Sequence, residues 1–232
     1  MGQWIQLQTP RGQVATWQAG PPSAPRGGLV VIQEIFGGNP HMRAVAEDFV
    51  AEGYAVLAPA FFDPLERGVE LGYDEAGFAR GRQLAGELGF DAALDIVAAA
   101  ARRLQAFLDA FADRHRVGTV GYCWGGTVAM LSALRLGLPS VSYYGARNAA
   151  FLEDPALVAA PAAPVMFHFG EQDAAIPPDV VQAHRRQLPA MPVHTYPAGH
   201  AFNREVDPGA YDKPSARLAR ERTLDFITEH LK

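Results

Sequence analysis

The segment VGTVGYCWGGTVAM, residues 117–130, constrains the fold most, because a β-branched apolar run meets a Gly-x-Cys-x-Gly turn that opens directly into a helical pattern. A strand–turn–helix unit of this kind exposes its central side chain above a sheet, and Gly121 and Gly125 omit the Cβ atoms that would collide there. The pattern predicts a nucleophile elbow with Cys123 in the place of serine. The following helix directs its N-terminus at Cys123, so its dipole favours a thiolate and its free N–H groups can bind an oxyanion.

Two other interpretations of this segment must be weighed. A lone cysteine is commonly a small buried hydrophobe. Glycines in such a turn can also form a phosphate-binding loop, but that motif requires Lys followed by Ser or Thr, whereas Thr127 follows Gly126 directly. The phosphate loop is therefore excluded, and the partners of Cys123 decide between the other two interpretations.

The composition limits the class of protein and the kind of partner. A chain of 232 residues, about half of them apolar, is long enough for one sizeable core, and we expect a single domain spanning residues 1–232. The 20 basic and 25 acidic residues form no basic run, so neither nucleic acid nor a membrane is the expected partner. The expected partner is a small molecule. We expect the protein to be a monomer or a weak homodimer.

Cysteine usage and the N-terminus indicate the compartment. One cysteine cannot form an internal disulfide, and Met-Gly-Gln-Trp is not followed by the apolar stretch of a signal peptide. No apolar run approaches the roughly 18 residues of a membrane span. We expect a cytoplasmic protein.

Hydrophobic periodicity predicts strands that alternate with helices after an opening hairpin. The predicted strands are 4–7, 14–17, 29–32, 54–58, 117–120, 140–144, 165–169 and 193–196, and the predicted helices are 40–53, 74–88, 91–111, 126–136, 178–188 and 215–231. This order favours an α/β fold with a mainly parallel central sheet and helices on both faces. Ligands bind such sheets at the carboxyl ends of the strands, and the long irregular segment 59–73 is expected to form a pocket wall.

A catalytic thiol needs a base and an acid that orients the base, and both follow predicted strands. Asp173 comes shortly after the strand 165–169, and His200 shortly after the strand 193–196. Asp173 alone could be a turn residue before Pro177, and His200 alone an ordinary loop histidine. The order Cys123, Asp173, His200 is nevertheless the order of an α/β-hydrolase triad, which favours a catalytic constellation.

Five motifs resemble the dienelactone hydrolase family, the carboxymethylenebutenolidases, from about Val30 to the C-terminus. The motifs are QEIFG at 33–37, GYCWGG at 121–126, GEQD at 170–173, GHAF at 199–202 and ERTLDF at 221–226. The resemblance implies the α/β-hydrolase fold and a Cys-His-Asp triad that hydrolyses an enol-lactone of chlorocatechol degradation without a cofactor. In this chain Cys123 would be the nucleophile, His200 the base and Asp173 its orienter.

The resemblance also implies roles outside the triad. Glu34 would hold the resting thiol until substrate arrives, because a carboxylate close to a thiol accepts its hydrogen bond or its proton. The backbone N–H groups of Ile35 and Trp124 would form the oxyanion hole. The alternative is that Glu34 is an ordinary exposed residue of this loop, with no such role.

Family arginines bind the carboxylate of the lactone, and Arg204, four residues after His200, matches one of them. The second falls near Arg80 or Arg82, where the local sequence departs from the family pattern, and Trp124 replaces a smaller residue. An arginine in a loop is otherwise commonly solvated. Further substrate-binding candidates are Phe36, Tyr144 and Phe202.

These inferences predict a hydrolase of small carboxylate-bearing lactones or esters that acts through an acyl-enzyme. A general carboxylesterase or thioesterase on the same fold is the alternative enzyme, and a non-catalytic ligand binder or thiol sensor is the alternative outside enzymes. The remaining histidines, including His168 in an apolar strand, lack metal-ligand spacing, so no metal site is expected.

Overall fold

The computed structural model describes residues 2–20, 23–111 and 116–231. Its strands are β1 Gln3–Thr9, β2 Gly12–Ala19, β3 Gly28–Ile32, β4 Ala55–Pro59, β5 Val117–Tyr122, β6 Ser140–Tyr143, β7 Val165–Gly170 and β8 Val193–Tyr196. Its helices are α1 Pro40–Ala51, α2 Glu75–Leu108, α3 Trp124–Leu136, α4 Ala149–Leu152, α5 Pro155–Val158, α6 Pro178–Gln187 and α7 Lys213–His230.

The eight strands form one sheet in the order β1-β2-β4-β3-β5-β6-β7-β8. The pairs β1–β2 and β2–β4 are antiparallel, whereas β3–β4, β6–β7 and β7–β8 are parallel. Every residue of β3 to β7 is buried, as expected for strands covered on both faces. The prediction of an α/β-hydrolase fold with a mainly parallel sheet and flanking helices is confirmed.

Several element boundaries differ from the predicted ones for identifiable reasons. The predicted helices 74–88 and 91–111 are two helical segments of α2, separated at Gly89, whose φ of 70° and ψ of 169° are not helical. Helix α3 begins at Trp124 rather than at Gly126, because the turn after β5 takes only one residue. Helices α4 and α5, with four residues each, are too short to show a helical period and were not predicted.

The described residues group into two compact units, 2–119 with 230–231, and 120–229. Each has its own core of fully buried side chains, Leu29, Phe36, Phe49, Tyr54, Phe61 and Phe62 in the first unit and Tyr143, Tyr144, Phe167, Phe169, Tyr196 and Phe202 in the second. That the whole chain is one domain remains a prediction. Over residues 2–20, 23–111 and 116–231, none of the helices has the length and apolar character needed to cross a membrane.

Candidate active site

Cys123 is the single residue between β5 and α3, and its backbone is strained. Its φ of 55° and ψ of −117° lie in a region that residues with a Cβ rarely adopt, at a cost of about 1–3 kcal/mol. The turn is tight enough that a Cβ on Gly121 would lie 1.9 Å from the carbonyl oxygen of Gly125. The predicted elbow geometry is therefore present, and Gly121 is required for it.

The side chain of Cys123 does not cap α3. Cys123 occupies the N-cap position without a side-chain capping bond, so the N–H groups of the first helical turn have no partner from that side chain. The N–H of Cys123 itself donates to the carbonyl of Tyr143, 3.0 Å away. Cys123 is partly exposed rather than buried in the core, which disagrees with the interpretation of Cys123 as a core hydrophobe.

Asp173 and His200 lie in loops that follow neighbouring parallel strands and are bonded to each other. The N–H groups of Glu171 and Gln172 donate to the carbonyls of Tyr196 and Ala198, at 2.8 and 2.9 Å. A Cβ on Gly170 would lie 2.4 Å from the carbonyl oxygen of Ala198, so glycine permits this close approach. The sequence GEQD thus brings the loop of the aspartate against the loop of the histidine.

The imidazole of His200 is oriented by the carboxylate of Asp173. Nδ1 of His200 lies 2.6 Å from Oδ2 of Asp173, and Oδ1 of Asp173 accepts from the N–H of Ala175 at 2.9 Å. The Asp173 side chain is 1% exposed, whereas that of His200 is 29% exposed. A carboxylate held at both oxygens fixes the proton of His200 on Nδ1, so Nε2 is the nitrogen available for chemistry.

Two partners determine the charge of His200. Burial disfavours the charged ring, but hydrogen bonds to Asp173 and to Cys123, together with the negative charges of both, outweigh it and raise the pKa of His200 from 6.5 to about 10. The structure brings the three predicted triad residues together, since His200 is bonded to Asp173 and its pKa is raised by both Asp173 and Cys123.

The predicted thiol partner Glu34 and oxyanion donor Ile35 lie directly after β3. Both are buried, and a Cβ on Gly81 of α2 would lie 2.2 Å from the carbonyl oxygen of Ile35. Phe36 is also buried, with its ring 4.6 Å from that of Tyr73 and 4.9 Å from that of Phe78. The loop after β3 is thus fixed against the N-terminal part of α2. The other predicted oxyanion donor, Trp124, is the buried first residue of α3.

The two candidate arginines on α2 have different surroundings. Arg80 pairs with Glu66, and both side chains are largely exposed. The guanidinium of Arg82 lies 5.9 Å from the ring centroid of Phe78, the ring that also contacts Phe36. Arg82 is therefore the one whose guanidinium lies next to the aromatic cluster of the loop after β3.

Arg204 is buried rather than solvated. Its side chain is 3% exposed, and Nη1 donates to Oδ2 of Asp207 at 3.1 Å. Asp207 was not predicted as a site residue, and its position three residues after Arg204 gave no signal, because the turn conformation that joins them is not encoded by a recognisable motif. The charge of Arg204 is thus already compensated in part.

The two aromatic candidates of the second unit are buried against each other. Phe202 is fully buried, with its ring 5.4 Å from that of Tyr144 and 5.0 Å from that of Tyr196. Tyr144 also lies 5.1 Å from the ring of His200. Phe202 is therefore part of the packing around Tyr144, and direct contact of either ring with substrate remains a prediction.

His168 has a structural environment, as its position in an apolar strand indicates. Burial lowers its pKa well below the usual value, so the ring is neutral, and its nitrogens lie 2.8 Å from the Tyr196 hydroxyl and 3.1 Å from the Thr223 hydroxyl. Among the described residues, no three His, Cys, Asp or Glu side chains group as a metal site would require.

A surface cavity of about 200 Å³ lies in the first unit, and none of its lining residues belongs to the triad. It is lined mainly by apolar side chains of β2, β4 and the end of α2, together with Gln18 and Arg103. It offers neither a nucleophile nor an acid–base pair. The cavity is therefore not a candidate active site.

Comparisons with known proteins identify the family of the chain. The model of the dienelactone hydrolase family matches residues 14–231. Carboxymethylenebutenolidase from Pseudomonas putida is 34% identical over 220 residues, covering 89% of this chain and 87% of its own length. Carboxymethylenebutenolidase 1 from Cupriavidus pinatubonensis is 30% identical over 207 residues, covering 86% and 84% of the two chains.

Solved structures share the fold at low identity. A dienelactone hydrolase-like promiscuous phosphotriesterase from metagenomic libraries has a TM-score of 0.77 at 19% identity and covers 100% of this chain and 99% of its own. An esterase from Pyrococcus furiosus has a TM-score of 0.68 at 15% identity and covers 100% and 92%. At these identities the likeness concerns the fold alone.

Proposed function

The chain belongs to the dienelactone hydrolase family and is a hydrolase of carboxylic esters, and we propose that its substrates are small lactones or esters that carry a carboxylate. We propose further that the reaction runs through an acyl-enzyme on Cys123 and needs no cofactor. The observation that supports this most directly is the chain from Asp173 through His200 to a cysteine on a strained elbow.

In the proposed acylation step, the thiolate of Cys123 attacks the carbonyl carbon and the C–O bond of the ester breaks. When substrate displaces the thiol from Glu34, the thiol proton passes to Nε2 of His200, whose raised pKa favours this transfer, and Nε2 then delivers the proton to the leaving alkoxide. In a lactone the leaving alcohol stays tethered to the acyl group. The product of this step is a thioester on Cys123 and a neutral imidazole.

In the proposed deacylation step, neutral His200 takes a proton from water, and the hydroxide attacks the thioester. The C–S bond breaks, the free carboxylic acid leaves, and the proton on His200 returns to the sulfur, which restores the resting thiol. Asp173 keeps the proton on Nδ1 during both steps, so that Nε2 alone exchanges protons. No other proton donor is required.

The tetrahedral intermediate needs donors for its oxyanion, and we assign the N–H groups of Ile35 and Trp124. Trp124 is the first residue of α3, so its N–H lies at the positive end of the helix dipole, which favours a developing oxyanion. One such donor contributes about 10²–10³ in kcat in acyl transfer. We assign Glu34, buried directly after the same strand as Ile35, as an acceptor of the thiol's hydrogen bond before substrate binds.

For the carboxylate of the substrate we propose Arg204, assisted by Arg82 rather than Arg80. A guanidinium recognises a carboxylate by paired hydrogen bonds, and a buried guanidinium does so with less competition from water. Arg80 is already paired with Glu66. Tyr144, Phe36 and Phe202 would supply the apolar surroundings.

A general carboxylesterase or thioesterase is the second candidate, and one observation favours it. Arg204 is paired with Asp207, so its charge is partly compensated before any anionic substrate arrives. A pocket arranged in this way would accept neutral esters as readily as acidic ones. The two proposals differ in the dependence of turnover on Arg204.

The test is a turnover screen over acidic lactones, neutral aryl esters and aliphatic thioesters, followed by mass spectrometry of the acid-quenched enzyme. We expect turnover of at least one acidic lactone and an acyl adduct on Cys123. Cys123→Ala should lose both while keeping its free energy of unfolding, because Cys123 is partly exposed. Undiminished turnover in that variant would exclude the cysteine as nucleophile, and no turnover by the wild type would favour a ligand binder or thiol sensor.

We also propose that the protein is cytoplasmic, and a monomer or a weak homodimer. A free cysteine that must remain reduced to act as a nucleophile fits a reducing compartment. Light scattering over a range of protein concentrations tests the oligomeric state. Fractionation of cells that produce the protein tests its location.

A further inference from the structure

Tyr144 has a backbone conformation that tyrosine rarely adopts. Its φ of 40° lies in the left-handed region, which costs a residue with a Cβ about 1 kcal/mol or more. It directly follows β6, and its N–H donates to the carbonyl of His168 at 2.8 Å, so the ladder with β7 is kept up to this residue. Such strain persists where the surrounding structure enforces it, and it is concentrated at functional sites.

The strained turn places the ring of Tyr144 against the imidazole of His200. The two ring centroids are 5.1 Å apart at an interplanar angle of 59°. Tyr144 is 1% exposed and is held in turn by Phe202, at 5.4 Å and 74°. One part of the His200 imidazole therefore packs on the fixed ring of Tyr144. The His200 side chain is 29% exposed, so the rest of the imidazole remains accessible.

The same turn also holds the backbone of Cys123. The carbonyl of Tyr143 accepts the hydrogen bond from the N–H of Cys123 at 3.0 Å. A Cβ on Gly126 would lie 2.4 Å from that carbonyl oxygen, so the first turn of α3 lies directly against it. Tyr143 thus contacts Cys123 through the main chain, and the next residue, Tyr144, contacts the imidazole of His200 through its side chain.

We propose that Tyr144 is a positioning residue that keeps Nε2 of His200 directed at the sulfur of Cys123, an inference that rests on the proposed function. The hydrogen bond to Asp173 fixes Nδ1 but still allows the imidazole to swing about that bond. The buried ring of Tyr144 removes this freedom, and the link from Tyr143 to Cys123 keeps both reacting groups in one frame. The ring, rather than the hydroxyl, carries this role.

A pair of substitutions separates the ring from the hydroxyl. Tyr144→Phe keeps the ring, and we expect its kcat to stay within about twofold of wild type. Tyr144→Leu keeps apolar volume without the ring, and we expect kcat to fall by roughly 10–100-fold with KM within about threefold, since a misplaced catalytic group costs rate rather than affinity. Tyr54→Leu, an equally buried tyrosine in the first unit, controls for loss of stability and should keep kcat.

A spectroscopic measurement tests the same inference without turnover. The Nδ1 proton that His200 shares with Asp173 should give a far-downfield NMR resonance in the wild type and in Tyr144→Phe, and a broadened, faster-exchanging one in Tyr144→Leu. An inactive wild type with this pattern would end the proposed function and leave the positioning role in place. Equal kcat in all variants with an unchanged resonance, an equal loss in Tyr144→Phe, or a rise in KM alone would overturn the positioning role.

Discussion

His200 lies 2.6 Å from Asp173, and the two side chains differ in exposure, with 29% of the histidine and 1% of the aspartate open to solvent. The buried carboxylate has little freedom, because its second oxygen accepts from the N–H of Ala175. The partly exposed imidazole of His200 can contact a substrate. A buried Asp173 beside a partly exposed His200 is the arrangement that their proposed roles, orienting group and general acid–base, require.

Replacing Asp173 by Asn tests this arrangement. The amide preserves the shape of the side chain but favours the wrong tautomer of His200, so kcat should fall by up to about 10⁴ with the fold retained. Steady-state kinetics and circular dichroism of the variant provide the measurement. A decrease of less than twofold would mean that another acid orients the imidazole.

The same variant should change how stability depends on pH. Because the folded-state pKa of His200 is raised from 6.5 to about 10, its contribution to stability is fully present below pH 6.5 and is lost as the pH rises through 10. Asp173→Asn removes a hydrogen bond and a charge that raise this pKa. Urea unfolding between pH 6 and 10 should therefore give a flatter curve for the variant than for the wild type.

The sequence predicts the positions of the triad residues because each follows a strand that is recognisable by its apolar run. Parallel strands end at one edge of the sheet, so residues far apart in the chain are brought together by the fold itself. The partners of Arg204 could not be predicted, since its pairing with Asp207 depends on turns between Ala201 and Asp212 that are held by backbone hydrogen bonds. A positive φ at Tyr144 likewise has no sequence signal, because the surrounding contacts impose it.

The requirement for glycine at position 121, before the elbow, can be tested by comparing substitutions at Gly121 and Gly86. In Gly121→Ala the new methyl group would lie 1.9 Å from a backbone oxygen, so we expect a loss of more than about 3 kcal/mol in the free energy of unfolding, or no cooperative transition. Gly86→Ala is the control, because a Cβ there meets nothing within 4 Å. A helical site of this kind should gain about 0.5–1 kcal/mol. Equal stability of the two variants would show that the elbow turn adapts.

His184 is expected to make the protein sensitive to acid. Its Nδ1–H donates to the carbonyl of Val180 at 2.8 Å, and its Nε2 accepts from Nδ2 of Asn148 at 3.1 Å. Burial lowers its pKa to about 4, against the weaker opposing effect of the bond to Val180. Protonation would place an N–H of the imidazole against the NH₂ of Asn148.

The lowered pKa of His184 makes the folded protein less stable at acid pH. The contribution of His184 to stability is complete above pH 6.5 and is lost as the pH falls through 4, to a total of about 3 kcal/mol. Urea unfolding at pH 4, 5 and 6.5 should show a smaller decrease for His184→Gln than for the wild type. Parallel curves for the two proteins would mean that other groups cause the acid sensitivity.

Arg204 separates the two proposed substrate classes. If its guanidinium binds a substrate carboxylate, Arg204→Ala should lower kcat/KM for acidic lactones by an amount equivalent to roughly 1.5–3 kcal/mol, the value of a charged hydrogen bond, and leave neutral aryl esters unchanged. Asp207→Asn should act in the opposite direction on acidic substrates, because the carboxylate of Asp207 shares the guanidinium and repels a second anion. Equal losses on both substrate types would instead indicate that the pair only stabilises its loop. Since a general loss of stability lowers both values of kcat/KM together, their ratio reports on recognition of the carboxylate alone.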